Sequence, residues 1–189
     1  QEGKPPLFGT EQGLVYFEND SFIPVRDQQD SLFTKPILMM REWKEHTLLL
    51  LNSKSVYVLK DNKASLFLPA ERFDHQFLTA ITVGQDGRLW IATMNGKLFV
   101  YNPASDELLT LNNQFQLPNS MIYSLIFASD SSLLLGTQRG INRLYFNREG
   151  GLLRLQHYGK EEGFLGVEAN ANAIMRDDDG SIWIGTVNG

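Results

Sequence analysis

The chain has 189 residues and a formal net charge of −5, with 42% hydrophobic residues, 21% charged residues and no cysteine. That balance belongs to a folded chain with a buried core and excludes an intrinsically disordered one. It also excludes disulfides and thiolate metal sites, and an acidic chain without a basic block is unsuited to nucleic acid or anionic lipid. The longest aliphatic run, Leu48-Leu49-Leu50-Leu51, is too short to cross a bilayer. Any membrane attachment is expected only through segments absent from this chain.

In chain order, the first element is Leu7-Phe8-Gly9-Thr10, followed by Gly13 and a second apolar run, Leu14-Val15-Tyr16-Phe17. The same pattern returns, degenerate, at Leu48–Ser55, then clearly at Leu89–Gly96, Leu133–Gly140 and Ile182–Gly189. The polar residue closing each run is Thr10, Asn52, Thr93, Thr137 and Thr186, at intervals of 42, 41, 44 and 49. Three positions later stands Gly, or Ser55 in the weak copy. Three copies also carry an Asp seven residues before the Thr, at Asp86, Asp130 and Asp179.

Each piece has a physical reason. Asp-Gly between apolar runs is a hairpin turn, in which Asp bonds to nearby backbone and Gly supplies positive φ. The short, continuously apolar run predicts a strand buried on both faces. The small residue before Thr (Gly9, Ala92, Gly136, Gly185) predicts close approach by a neighbouring sheet. Thr-x-x-Gly then makes a second turn into a third strand. One full unit reads as strands Phe77–Val83, Arg88–Thr93, Lys97–Tyr101 and Glu107–Leu111, then a long connection to Met121. Pro69–Phe73 predicts a single helical turn with Pro at its first position. Trp90 and Trp183 are expected in the core, and Trp43 at a partly exposed turn.

Four short strands per period of 40–50 residues are the signature of a β-propeller blade. The expected fold is therefore all-β: a propeller of four-stranded antiparallel blades, holding about four repeats. The expected units are approximately 1–34, 35–76, 77–120, 121–170 and 171–189, within one propeller segment. Because the first and last units are incomplete, two arrangements are open. One is a small ring closed by strand exchange; the other, the expectation here, is part of a larger propeller. Such an array exposes apolar sheet faces, so self-association through the terminal blades is expected.

Asp-Gly, then Leu/Ile-Trp-Ile-Gly-Thr, then Gly and Tyr, resembles the two-component regulator propeller repeat over essentially the whole chain. The likeness is loosest in the second unit, where Lys44-Glu45-His46 replaces Asp-Gly. Glu162-Gly163-Phe164-Leu165-Gly166-Val167-Glu168-Ala169-Asn170-Ala171-Asn172-Ala173 resembles the connection before the last units of such propellers. The resemblance implies the sensor region of a bacterial, sometimes hybrid, histidine kinase. It implies a periplasmic location, inner-membrane attachment in the full-length protein, and a carbohydrate or its breakdown product as signal. Any kinase module lies elsewhere, so no enzymatic activity is expected of this segment.

Motifs for chemistry are weak. Asp177-Asp178-Asp179-Gly180 lacks the Glu that a calcium-binding EF-hand needs at position twelve, where Asn188 stands. It reads as a solvated turn, and Asp178-Asp179-Gly180-Ser181-Ile182-Trp183 matches the second half of a structural Asp-box, with Arg176 where its Ser would stand. His46, His75 and His157 share no metal spacing. No Gly-x-Ser-x-Gly elbow or phosphate loop occurs, and Glu71, Glu161, Glu162 and Glu168 suggest no glycosidase pair. No catalytic residue, metal site or cofactor is expected. The best ligand-binding candidate is the connection at 157–173, read as the source of the 49-residue interval. Glu168, Asn170 and Asn172 offer hydrogen bonds, and Tyr158 and Phe164 offer stacking faces, the two group types that a carbohydrate uses. A weaker candidate is the connection 112–120, with Asn113, Gln114, Asn119 and Ser120.

Overall fold

The repeated Thr-x-x-Gly pattern builds a hairpin in which the threonine side chain closes its own turn. Thr10 Oγ1 donates to the Gly13 carbonyl at 2.9 Å and accepts from Gln12 N–H at 3.1 Å. Thr137 repeats this with Gly140 at 2.8 Å and Arg139 at 3.1 Å. Gly140 has φ +105°, and a Cβ there would lie 2.3 Å from the Tyr158 carbonyl oxygen. The position therefore requires glycine both for its dihedral and for the passing strand. The Asp turns also form as the residues predict: Asp86 Oδ1 accepts Arg88 N–H at 3.0 Å, and Asp179 Oδ1 accepts Ser181 N–H at 2.8 Å.

The computed structural model of the chain describes residues 5–44, 47–112, 117, 120–147, 149–166 and 168–187, with backbone alone at 47 and 48. They form two compact units, one up to Leu78 and one from Thr79 onward. Among the described residues no helix is long and apolar enough to cross a membrane.

The first unit holds two sheets. One is β1 (Leu7–Thr10), β2 (Gly13–Glu18) and β3 (Ser21–Pro24), antiparallel throughout. The other runs β4 (Arg26–Asp27), β8 (Lys63–Leu68), β7 (Val56–Lys60), β6 (Thr47–Leu51) and β5 (Met39–Lys44). Its last four strands are antiparallel, whereas β4 pairs in parallel with the first two residues of β8, Lys63 and Ala64, at the sheet edge. Leu14, Val25, Phe33, Ile37, Leu50, Leu59 and Ala64 form the core between them. Ala70–Phe73 makes a single 3₁₀ turn that buries Phe73. Pro69 is its extended N-cap rather than its first helical residue.

The second unit holds two complete four-stranded antiparallel sheets. The first is β9 (Leu78–Val83), β10 (Leu89–Thr93), β11 (Leu98–Asn102) and β12 (Glu107–Thr110). The second is β13 (Ile122–Ser129), β14 (Ser132–Thr137), β15 (Gly140–Phe146) and β16 (Leu152–Tyr158). The pair β17 (Ala169–Arg176) and β18 (Ile182–Thr186) follows. Every residue of β10 and β14 is buried, as their unbroken apolar runs predict. Trp90 packs on Phe127 and Phe146, with ring centroids at 5.7 and 5.2 Å. A Cβ at Gly136 would meet the Ala169 Cβ at 2.9 Å, which is the close sheet approach expected of the small residue before Thr.

Two aromatic expectations are corrected. Trp183 is not in the core but is 61% exposed. In the β17–β18 register, Trp183 pairs with Met175 on a face that no described element covers, while Ile174 and Ile184 pair on the opposite face and pack inward. Trp43 lies on strand β5 and not at a turn, half-buried against Phe67 with ring centroids at 5.0 Å.

Candidate functional site

The region expected at 157–173 is shorter as a connection than the sequence suggests. Strand β16 runs through Tyr158, and β17 begins at Ala169, leaving residues 159–168 between sheets. The 49-residue interval is spent on strand length instead. In that interval β15 and β16 have seven residues each, against five and four in their counterparts β11 and β12 of the preceding interval, and β17 has eight.

Within this connection the backbone folds on itself. Phe164 N–H donates to the Gly159 carbonyl at 2.9 Å, and Gly159 N–H donates to Glu162 Oε2 at 2.8 Å. Phe164 and Tyr158 are half-buried and pack on the same cluster, Leu134, Ile141, Ala169 and Ile174. Their apolar faces are therefore used in joining the β13–β16 sheet to the β17–β18 pair. The Tyr158 hydroxyl shares a hydrogen bond with that of Tyr145, which raises the pKa of Tyr158 and lowers that of Tyr145. Arg143 and Arg154 lie over the Tyr145 ring at 4.8 and 4.3 Å and reinforce its lowering.

Glu168 is half-buried and accepts a hydrogen bond from the Tyr123 hydroxyl at 2.5 Å. That bond, helped by burial and the carboxylate charge, raises the pKa of Tyr123. Asn170 and Asn172 lie on β17, exposed, where the pairing with β18 slips between Ala169 and Ile174. Asn172 takes φ +58° there. The slip turns this stretch out of the regular pleat and presents both amides to solvent. The structure thus brings Tyr158 with Phe164 into the packing and leaves Asn170 and Asn172 outside it. Asn113, Gln114 and Asn119 lie outside the described residues, as do His46 and Asn188. Ser120, also in that weaker candidate, is buried.

Tyr123 is the residue that sequence reasoning missed. It sits on β13, 45 positions from Glu168, and no local pattern marks it; only the stacking of β13 against β17 brings the two together. Among the described residues no group of three His, Asp or Glu side chains is placed to hold a metal ion.

Blade-like antiparallel sheets joined by short hairpins define a β-propeller-type fold, and comparison with solved structures agrees. The chain matches an extracellular domain assigned to the hybrid two component system BT3049 from B. thetaiotaomicron, at TM-score 0.70 and 19% identity. That match covers 94% of this chain and 24% of the other. The corresponding domain of BT4673 from the same organism matches at TM-score 0.68 and 19% identity, covering 95% and 23%. A virginiamycin B lyase from Staphylococcus aureus matches at TM-score 0.58 and 12% identity, covering 99% and 64%. The chain thus spans about a quarter of the two-component chains it resembles. No curated protein sequence matches it. Residues 166–188 match the two component regulator propeller family, so the chain carries that repeat at the segment formed by Gly166, Glu168 and strands β17 and β18.

Proposed function

We propose that this chain is part of the extracytoplasmic, ligand-sensing propeller of a bacterial two component signal transduction protein, with a carbohydrate or a related molecule as its signal. The observation that carries this reading is the two component regulator propeller repeat at residues 166–188. It is supported by the likeness of fold to extracellular domains assigned to two component systems. In this reading the segment binds and does not catalyse; the full-length protein is held at the inner membrane with its sensor in the periplasm. The polar edge of the site is Asn170 and Asn172, set where β17 leaves regular pairing, with Glu168 just before that strand. Tyr158 and Phe164 act there by fixing the connection through packing.

The test is a titration of the chain with a panel of neutral and acidic oligosaccharides by calorimetry, repeated on Asn170→Ala and Asn172→Ala. Saturable binding to one sugar class, weakened at least about tenfold by either variant, is the expected result. Binding to none of the panel, together with specific capture of a defined protein partner, would replace the sensor with an interaction scaffold.

A further inference from the structure

Residues 28–38 link β4 to β5 across the open side of their own sheet. This connection roofs a cavity of ≈ 510 Å³ over strands β7 and β8. That volume lies within the roughly 300–1,000 Å³ range of small-ligand pockets. From it we infer a binding pocket for a small, neutral, polyhydroxylated molecule of one or two sugar rings.

The loop is held in place by its own hydrogen bonds. Asp27 Oδ1 accepts N–H groups from Gln29 and Ser31, both at 2.9 Å. Asp27 N–H donates to the Ser31 carbonyl at 2.8 Å, and Phe33 N–H to the Val25 carbonyl at 2.9 Å. Arg26 Nη1 reaches the Asp30 carbonyl at 2.5 Å, and Lys63 pairs with Asp30 at 3.2 Å. The parallel β4–β8 pairing ties the loop base to the sheet. A pocket ordered before its ligand arrives spares the ligand the entropy of ordering it.

The lining sets the ligand class. Phe33 and Tyr57 meet edge to face at 5.2 Å and supply aromatic surface for the C–H face of a ring. The Tyr57 hydroxyl has no hydrogen-bond partner among the described residues, and burial raises its pKa, so it remains a donor through neutral pH. Gln28 and Gln29 each supply donors and an acceptor, while Asp27 accepts and Lys35 donates. One carboxylate and one ammonium balance, which disfavours a strongly charged ligand. Hydroxyl groups, which donate and accept at once, suit that mixture. This pocket is lined by none of Glu168, Asn170 and Asn172 and shares with the function proposed above only the sugar class.

The test uses the full chain, ¹⁵N-labelled, titrated with neutral mono- and disaccharides while backbone and glutamine side-chain amides are followed by NMR. The expected result is saturable shifts at Gln28, Gln29 and Ser65. Tyr57→Phe and the double variant Gln28→Ala/Gln29→Ala should each weaken binding at least about tenfold, with the remaining amide spectrum unchanged. Shifts confined to Asn170 and Asn172 would overturn this pocket while leaving the sensing role intact. Saturable shifts at Gln28 and Gln29 that neither variant weakens would also overturn it. Silence from the whole panel would overturn the pocket and the sugar class together.

Discussion

The Tyr123 hydroxyl donates to Glu168 Oε1 at 2.5 Å, tying the first strand of the β13–β16 sheet to the connection that leads into β17. A hydrogen bond to a carboxylate is stronger than a neutral one, and a partly buried one contributes about 1–2 kcal/mol. Tyr123→Phe removes the donor and keeps the ring, so urea unfolding should show a loss of that size. A variant as stable as the parent would mean that water replaces the bond without cost.

The same pair makes stability pH-dependent in a defined direction. The hydrogen bond to Glu168, burial and the carboxylate charge all oppose ionisation of Tyr123, so the folded chain holds this proton to higher pH than the unfolded chain. The contribution is therefore complete below the ordinary tyrosine value of 10.0 and falls away as pH rises through and beyond it. Thermal melts from pH 8 to pH 11 should show the parent losing its advantage over Tyr123→Phe across that alkaline window. Parallel curves for the two proteins would remove the pair from the pH response.

Gly140 and Gly87 both have positive φ but differ in their surroundings. A Cβ at Gly140 would lie 2.3 Å from the Tyr158 carbonyl oxygen, whereas one at Gly87 meets nothing within 4 Å. Gly87→Ala carries the dihedral strain alone and should cost about 1 kcal/mol. Gly140→Ala adds displacement of strand β16 and should cost at least about 3 kcal/mol. Denaturant midpoints for the two variants separate the strain from the collision; equal losses would show that β16 shifts freely.

Trp90 and Trp183 occupy the same place in near-identical runs, Leu-Trp-Ile and Ile-Trp-Ile, yet their fates differ. Trp90 is 7% exposed and packed on two phenylalanines. Trp183 is 61% exposed, and its Nε1–H donates to the Asp177 carboxylate at 3.3 Å. Trp90→Ala should destabilise the chain by about 3–5 kcal/mol, and Trp183→Ala by less than about 1 kcal/mol. Tryptophan emission should report the same contrast: Trp183→Phe removes a red-shifted component and Trp90→Phe a blue one.

That contrast marks the boundary of what local sequence encodes. Strands β9 to β12 begin and end within one residue of the positions read from the sequence, because Asp-Gly and Thr-x-x-Gly turns are local chemistry. Whether the second face of a strand is covered depends on a neighbouring sheet, which no run of five residues contains. Connection length escapes the repeat spacing for a related reason. The Thr10–Asn52 interval of 42 hides the short strand β4 and the 28–38 connection, and the Thr137–Thr186 interval of 49 reflects long strands. Repeat spacing sums strand and loop and separates neither. Of the candidate site, the exposed amides Asn170 and Asn172 were legible as polar groups in an apolar repeat, whereas the packing role of Tyr158 and Phe164 needed the adjacent sheet.

Exposed aromatic side chains stand on two sheets at opposite ends of the sequence. On the β1–β3 sheet, Phe22 is 64% and Phe8 45% exposed, and their rings meet edge to face at 6.0 Å. On the β17–β18 pair, Met175 and Trp183 lie side by side, 56% and 61% exposed. Burying an apolar side chain contributes roughly 25 cal/mol per Å² removed from water, so covering these rings favours association and works against the cost of bringing two chains together. Light scattering should therefore give a mass above the 21.4 kDa of one chain, rising with concentration. Phe22→Ser and Trp183→Ser should each lower that mass, and the variant with the larger effect identifies the face that pairs. A constant 21.4 kDa across the concentration range would show that neither face associates, and ligand titrations could then be read as binding to single chains.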